Sequence, residues 1–402
     1  MGAVRAGVGF ATATALLLAG CSSSPPTEAG APTPAPSSPV AGASSQAPDH
    51  GGHHGGSAGA ATVAGPLRTG ERYVEVGLPR AYTPSAPTTG TDDYRCFLLD
   101  PGLDQDAYLT GLDVLPGRDD LVHHVILFRV PPDAVTRARL QDRAVPGQGW
   151  TCFGGSGLEG AGDGLDDAPW LGAWAPGGGE QALAPDLGIP LKAGSLVVMQ
   201  VHYNLISGTG ADRSRARLRI APGTKDLQPL ETMLLPAPVE LPCRPGADGP
   251  LCDRAAALAD VKTRFGAFAG ATADFLSMIC QGNQPGPVQS CSRTVGEPAT
   301  IRAVAGHMHL LGRSLSIEVN PDSAEAHTVL DIPVWDFDDQ ASRPLDRPVS
   351  LEPGDELQVT CEHDQGLRDL LPAFEGQPER YVLWGEGTTD EMCLGIALVT
   401  RP

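Results

Sequence analysis

An all-β fold is predicted for the folded part of this chain: two tandem antiparallel β-sandwich, jelly-roll-like domains behind a disordered N-terminal tether. Three observations predict it. The 402 residues include 50 Gly and 38 Pro, nearly twice the usual share, which fills a chain with turns. After about residue 70 the apolar segments are short, rich in Val, Ile and Leu, and bounded by Gly, Pro or Asp, as strands joined by turns are. Helical spacing is modest and confined to Asp253–Phe268. A hydrophobic share of 41% can support a core, so disorder of the whole chain is excluded. The net charge of −20 argues against a nucleic-acid binder, which needs clustered Lys and Arg.

Residues 1–20 read as a lipoprotein signal peptide: one early charge (Arg5), an apolar stretch, then small residues. The stretch is too short to span a bilayer as a mature helix. Its end, Leu18-Ala19-Gly20-Cys21, resembles the lipobox of bacterial lipoproteins. That resemblance implies cleavage before Cys21, lipidation of its sulfur, and an extracytoplasmic protein anchored to the cell membrane by lipid alone. Residues 21–66 form the tether, of Ser, Pro, Ala and Gly with two charges and no aromatic residue. Such a composition cannot bury enough apolar surface to offset its chain entropy. It contains His50, His53 and His54, either a weak metal-scavenging tract or a polar linker. No other apolar run reaches the roughly 18 residues that a spanning helix needs.

The folded part divides into residues 67–225 and 226–402, because Ala-Pro-Gly-Thr-Lys-Asp-Leu-Gln-Pro punctuates the strand pattern near 222–228. Strands are predicted at Leu121–Val130, Ser195–Ile206, Arg215–Ala221, Ile301–Leu311, Ser314–Val319, Glu356–Cys361 and Met392–Thr400. Setting Cys21 aside leaves Cys96, Cys152, Cys243, Cys252, Cys280, Cys291, Cys361 and Cys393. An even number in an exported chain implies about four disulfides, and eight cysteines allow about 105 pairings. No C-x-x-C pair occurs, which argues against thiolate zinc sites.

Five of the seven histidines beyond the tether sit in strand-like segments; His327 and His363 read as surface or loop residues. His307 and His309 form an H-x-H pair, so on a strand both imidazoles share one face, with Met308 opposite. His123 and His124 are adjacent, so on a regular strand one packs inward and one faces out. Both can reach one metal only if the strand is irregular. His202 is central in Met-Gln-Val-His-Tyr-Asn. Met392 is either a core methionine or a soft thioether ligand of the kind that selects Cu(I).

The chain resembles the copper type II, ascorbate-dependent monooxygenases, the group of peptidylglycine α-hydroxylating and dopamine β-monooxygenases. The likeness runs from Asp93-Tyr94-Arg95-Cys96 through Val399. LVHHVILF looks like the family's double-His segment, MQVHYN its third-His segment, AGHMHLLGRSL its H-x-H segment and DEMCLGIALV its methionine-ligand segment. The resemblance implies two copper ions. His123, His124 and His202 would hold the electron-transfer copper in the N-terminal sandwich. His307, His309 and Met392 would hold the catalytic copper, which meets dioxygen and substrate, in the C-terminal sandwich. The two sites would face each other across a solvent cleft. Tyr94 and Gln200 match supporting positions near the first copper. Disulfides Cys96–Cys152 and Cys361–Cys393 are implied. Cys243, Cys252, Cys280 and Cys291 lie in an insertion-like, Cys-rich stretch near 240–295, where Cys243–Cys252 and Cys280–Cys291 are the pairings that proximity suggests.

The implied activity is hydroxylation of a C–H bond of a small organic substrate, with O2 and a one-electron reductant such as ascorbate. One departure bears on the substrate. Where the peptide-amidating members carry Arg, Asn and Tyr to grip a carboxylate, this chain has Ala305, Leu394 and Ile396. A carboxylate buried there would lack partners, which favours an uncharged or hydrophobic substrate. Asp390 and Glu391 leave room for an amine-bearing one. Two other readings use the same residues. One is a non-catalytic copper-binding lipoprotein for copper tolerance or delivery. The other is a structural β-sandwich with incidental histidines, which predicts no clustering of the six residues in space.

Overall fold

The computed structural model describes residues 64–86, 91–158, 165–166, 168–280 and 282–402. The signal segment, Cys21, His50, His53, His54 and all but the last three tether residues lie outside them. The described sheets belong to one compact unit, and the all-β expectation holds: almost every strand pairing is antiparallel.

The first sheets span Arg72 to Pro229. A six-stranded sheet runs in the order Arg72–Gly77, Arg215–Pro222, Ala107–Leu115, Leu187–Leu191, Gln228–Pro229, with Gln181–Ala182 pairing beside the third. A five-stranded sheet runs in the order Trp150–Thr151, Asp92–Leu99, Leu196–Asn204, Val122–Val130, Trp170–Trp174. Leu109 and Leu218 of the six-stranded sheet meet Val125, Leu127 and Met199 of the other in one apolar core. The chain crosses over at Leu230: Gln228–Pro229 pairs with Leu187–Gly188, whereas Glu231–Ala237 pairs with the final strand, Cys393–Thr400. Two four-stranded sheets follow. One is ordered Glu231–Ala237, Cys393–Thr400, Ala299–His307, Arg343–Leu351, and the other Val288–Thr294, Glu356–His363, Gly312–Val319, His327–Ile332. Their inner faces share the second core, which includes Ile301, Val304, Ile317, Val359 and Val399.

Side-chain alternation explains where the site lies. Leu196–Asn204 is buried along nearly its whole length because it is central and covered on both faces. Val197, Met199, Val201 and Tyr203 enter the core between the two sheets. Leu196 and Val198 pack on the outer face with Cys96 and Trp150. Gln200 and His202 continue that outer row.

All four disulfides form as the pairings Cys96–Cys152, Cys243–Cys252, Cys280–Cys291 and Cys361–Cys393. The helical expectation over Asp253–Phe268 needs correction. Two helices occupy the stretch, Arg254–Phe265 and Ala267–Ile279, broken at Gly266, whose φ of 88° suits glycine. A further helix, Val135–Ala144, was not anticipated. It is polar and buries only Ala138, so it carries no apolar stripe to read.

Candidate metal centre

The double-His strand solves its geometric problem with a bulge. Val122 pairs with Tyr203 and His124 with His202, leaving His123 as an extra residue between them. Val122 and Val125 therefore both enter the inner core, while consecutive His123 and His124 share the outer face with His202. Their ligand nitrogens, with that of His202, lie within 4.8 Å of one another. His124 Nδ1 is 3.3 Å from His123 Nδ1 and 3.4 Å from His202 Nδ1. His202 Nε2 stands 2.8 Å from Asp92 Oδ1, which also accepts from Thr388 Oγ1 at 2.9 Å. That bond assigns the His202 proton to Nε2 and leaves Nδ1 as the free lone pair, the usual arrangement of a carboxylate behind a metal-binding imidazole.

The H-x-H pair is built differently from a plain strand. The strand ends at His307, so His309 lies in the turn beyond it. The buried Glu391 carboxylate takes over from the ladder: it accepts from the backbone N–H of His309 at 2.9 Å, of Leu311 at 2.5 Å and of Met392 at 3.1 Å. The turn is tight, since a Cβ on Gly312 would come within 2.7 Å of Trp335. Met308 still points into the core and the two imidazoles stay together, 5.1 Å between ring centroids. His307 Nδ1 donates to Gln340 Oε1 and His309 Nδ1 to the Asp390 carbonyl, so each presents Nε2 as its free lone pair.

The two histidine sets share one pocket. All five imidazoles line it, with Tyr94, Phe337 and Thr388. His124 and His307 are 6.4 Å apart by ring centroid, and Phe337 stacks on His123 at 4.7 Å. The expected solvent cleft is thus corrected: the two sets pack against each other, and the space among their rings admits no water molecule. Any substrate therefore enters between the two sets only if the walls move. Contacts between the halves account for the closure. Tyr94 Oη donates to the Glu386 carbonyl at 2.6 Å, and Thr388 reaches Asp92.

Burial disfavours charge on every one of these rings. It pushes His123 down to about 4 and His309 down to about 3, with neighbouring imidazoles adding to the effect at both. His124, His202 and His307 are lowered as well, again chiefly by burial. Five neutral imidazoles with converging lone pairs fit a borderline-soft transition metal such as copper.

The other predicted residues divide. Tyr94 stacks on His202 at 4.0 Å with the rings nearly parallel. Gln200 does not reach the imidazoles; its amide donates to the Gly155 carbonyl at 2.7 Å and so holds the loop after Cys152. Met392 is buried in the second core, outside the pocket lining. Its neighbour Cys393 is fixed to Cys361. Ala305 pairs across the sheet with Ile396, and His307 with Leu394, so the three apolar positions flank His307. His363 is not a surface residue: it is buried at the end of Glu356–His363, with Nε2 3.3 Å from the Met392 carbonyl and 3.5 Å from Glu391. Asp390 and Glu391 are not free for an amine. Asp390 is paired with Arg264 and Glu391 with backbone donors.

Asp92, Phe337, Gln340 and Thr388 were not singled out in the sequence as site residues, and Glu391 was read there only as a carboxylate near an amine-bearing substrate, not as the acceptor that shapes the His309 turn. Asp92 alone had a signal there, standing two residues before Tyr94 and thus on its face. Asp92→Asn is expected to weaken copper binding by about 10–100-fold, the usual effect of losing such a partner. Competition titration against a chelator measures it, and an unchanged affinity would remove Asp92 from the site.

A buried cluster of imidazoles on an all-β scaffold makes a candidate metal centre. Residues 288–396 match the C-terminal domain of the copper type II ascorbate-dependent monooxygenases, and the similarity is confined to that segment. The chain is also similar to DBH-like monooxygenase protein 2 of Mus musculus, 34% identical over 94 residues that cover 23% of this chain and 14% of that protein. Among solved structures, it is similar at 8% identity to a fucolectin from striped bass (Morone saxatilis) serum, with TM-score 0.17, covering 78% of this chain and 84% of that one. The major capsid protein P2 of bacteriophage PM2 gives TM-score 0.28 at 8% identity, covering 82% and 97%. Such scores carry no argument about function.

Proposed function

We propose that this protein is a copper-dependent monooxygenase that hydroxylates a C–H bond of a small, uncharged organic substrate, using O2 and a one-electron reductant such as ascorbate. The observation that carries the reading is the gathering of His123, His124, His202, His307 and His309 in one pocket, in a chain whose residues 288–396 match a domain of a copper-dependent family. His123, His124 and His202 would hold one copper, in residues 67–225. His307, His309 and Met392 would hold the other, in residues 226–402. Bound copper supplies one-electron steps and dioxygen chemistry, and a thioether among its ligands favours Cu(I). The chain's own residues supply the rest. Asp92 and Gln340 hold the ring protons at His202 Nε2 and His307 Nδ1 and keep the opposite nitrogens free. Ala305, Leu394 and Ile396 give an apolar wall beside His307 that would leave a carboxylate without partners.

A product screen on the copper-loaded protein with ascorbate and isotopic O2 tests this, run beside Met392→Ile. Labelled hydroxylated product from the parent, and its loss in the variant with copper retained at the three-His set, is the expected result. Copper binding without coupled ascorbate oxidation would favour a copper-tolerance or delivery protein instead. We also propose that the mature chain begins at a lipidated Cys21 and is anchored outside the cytoplasm; mass spectrometry of the N-terminal peptide checks this.

A further inference from the structure

We propose that the disulfide-bracketed helical hairpin Arg254–Ile279 is a clamp that holds the two imidazole sets in one pocket, with Arg264 and Phe265 as positioning residues at its tip. The hairpin is rooted firmly. Cys243–Cys252 closes the chain just before it and Cys280–Cys291 just after it. Ala257, Ala273 and Leu276 pack into the second core. At its base, Glu240 accepts from Arg254, Ser277 and Tyr381.

Its free end, where the helices meet at Gly266, makes two contacts of a different kind. Arg264 forms a two-pronged pair with Asp390, at 2.7 and 2.6 Å, and a third bond to Asp260. Asp390 is buried, accepts from the Gly387 backbone, and lends its own carbonyl to His309. Phe265 meets Phe153 edge-on at 5.1 Å; Phe153 packs on Tyr94 at 5.5 Å, and Tyr94 stacks on His202. One helix end therefore touches the loop behind the H-x-H set and an aromatic column leading to the three-His set. Charged forks with buried carboxylates and stacked rings fix orientation more than they add affinity.

The test uses the full chain with Arg264→Met, which keeps side-chain length and removes the charge, and Arg264→Lys, which keeps one charge without the fork. In metal-free protein, amide exchange in residues 385–391 should quicken about tenfold or more in Arg264→Met and less in Arg264→Lys, with Leu196–Asn204 unchanged. Phe265→Leu should speed exchange in residues 152–155 by itself, which keeps the test open if the arginine variants fold poorly. Unchanged exchange in both segments overturns the clamp, whatever the protein binds. The second measurement rests on the copper reading. Two Cu(II) ions in one pocket broaden each other's paramagnetic resonance, and Arg264→Met should restore the sharp signals of isolated ions at the same copper content. Persistent broadening in that variant overturns the clamp. Failure of the parent to take up copper overturns the monooxygenase reading and leaves the exchange result standing.

Discussion

Glu391→Ala will lower the stability of the folded chain by about 4–6 kcal/mol and loosen the turn that carries His309. The carboxylate is fully buried and accepts from three backbone N–H groups, with the His363 imidazole 3.5 Å away. Two effects compete at such a site. Burying a carboxylate is itself expensive, by several kcal/mol, and alanine removes that expense. But alanine also strands the donors, at about 1–3 kcal/mol for each buried group left unpaired, and opens a cavity. With this many donors on one acceptor, the stranding wins. The carboxyl group itself reports the balance: burial would raise its pKa, yet the bond from His363 and the backbone donors hold it below its ordinary value. Glu391→Gln keeps an acceptor oxygen and should lose only about half as much. Denaturant midpoints at neutral pH measure both. A loss in Glu391→Ala of less than about 1 kcal/mol would mean that water replaces the carboxylate.

Glu386→Gln will leave stability unchanged near pH 4 and raise it by about 3–5 kcal/mol at pH 9. Glu386 is buried, and its Oε1 lies where a Cβ on Gly154 would be 2.9 Å away. Burial, and then the negative charge of Asp390, push its pKa up to about 8 from an ordinary 4.5. The unfolded chain releases this proton near pH 4.5, while the folded chain keeps it to about 8. The folded state therefore binds more protons between those values, and stability falls as pH rises through the window. Below 4.5 the stabilising contribution is complete; above 8 it is gone. Glutamine mimics the protonated form and should flatten the profile. Parallel profiles for parent and variant from pH 5 to 9 would show that Glu386 is ionised in the folded protein.

The strands of the fold were legible because their chemistry repeats at period two. In Glu356–His363 the buried residues are Leu357, Val359, Cys361 and His363. Carrying that alternation one step past Cys361 would have found His363. The condition for the double-His pair, an irregular strand, was also legible, although not the bulge that meets it. What could not be read lies in loops. Phe337, Gln340 and Thr388 have no periodicity around them, and their places depend on contacts between segments far apart in sequence. Closure of the pocket was illegible for the same reason. Arg264 and Asp390 are 126 residues apart, and no local pattern marks the pair. Met392 shows the limit on the other side: its segment was readable, while its packing into the second core was not.

The bulge at His123 has a consequence for ancestry. Val122 and His124 already face their partners in continuous register, so the strand is an ordinary one with a single imidazole inserted. Removing that one codon would leave every neighbour opposite its present partner and every inward side chain where it is. The third nitrogen of the cluster could thus have been gained without replacing any core residue. A metal ligand introduced by insertion makes no demand on the interior, and a scaffold of this kind can acquire or lose it in one genetic step.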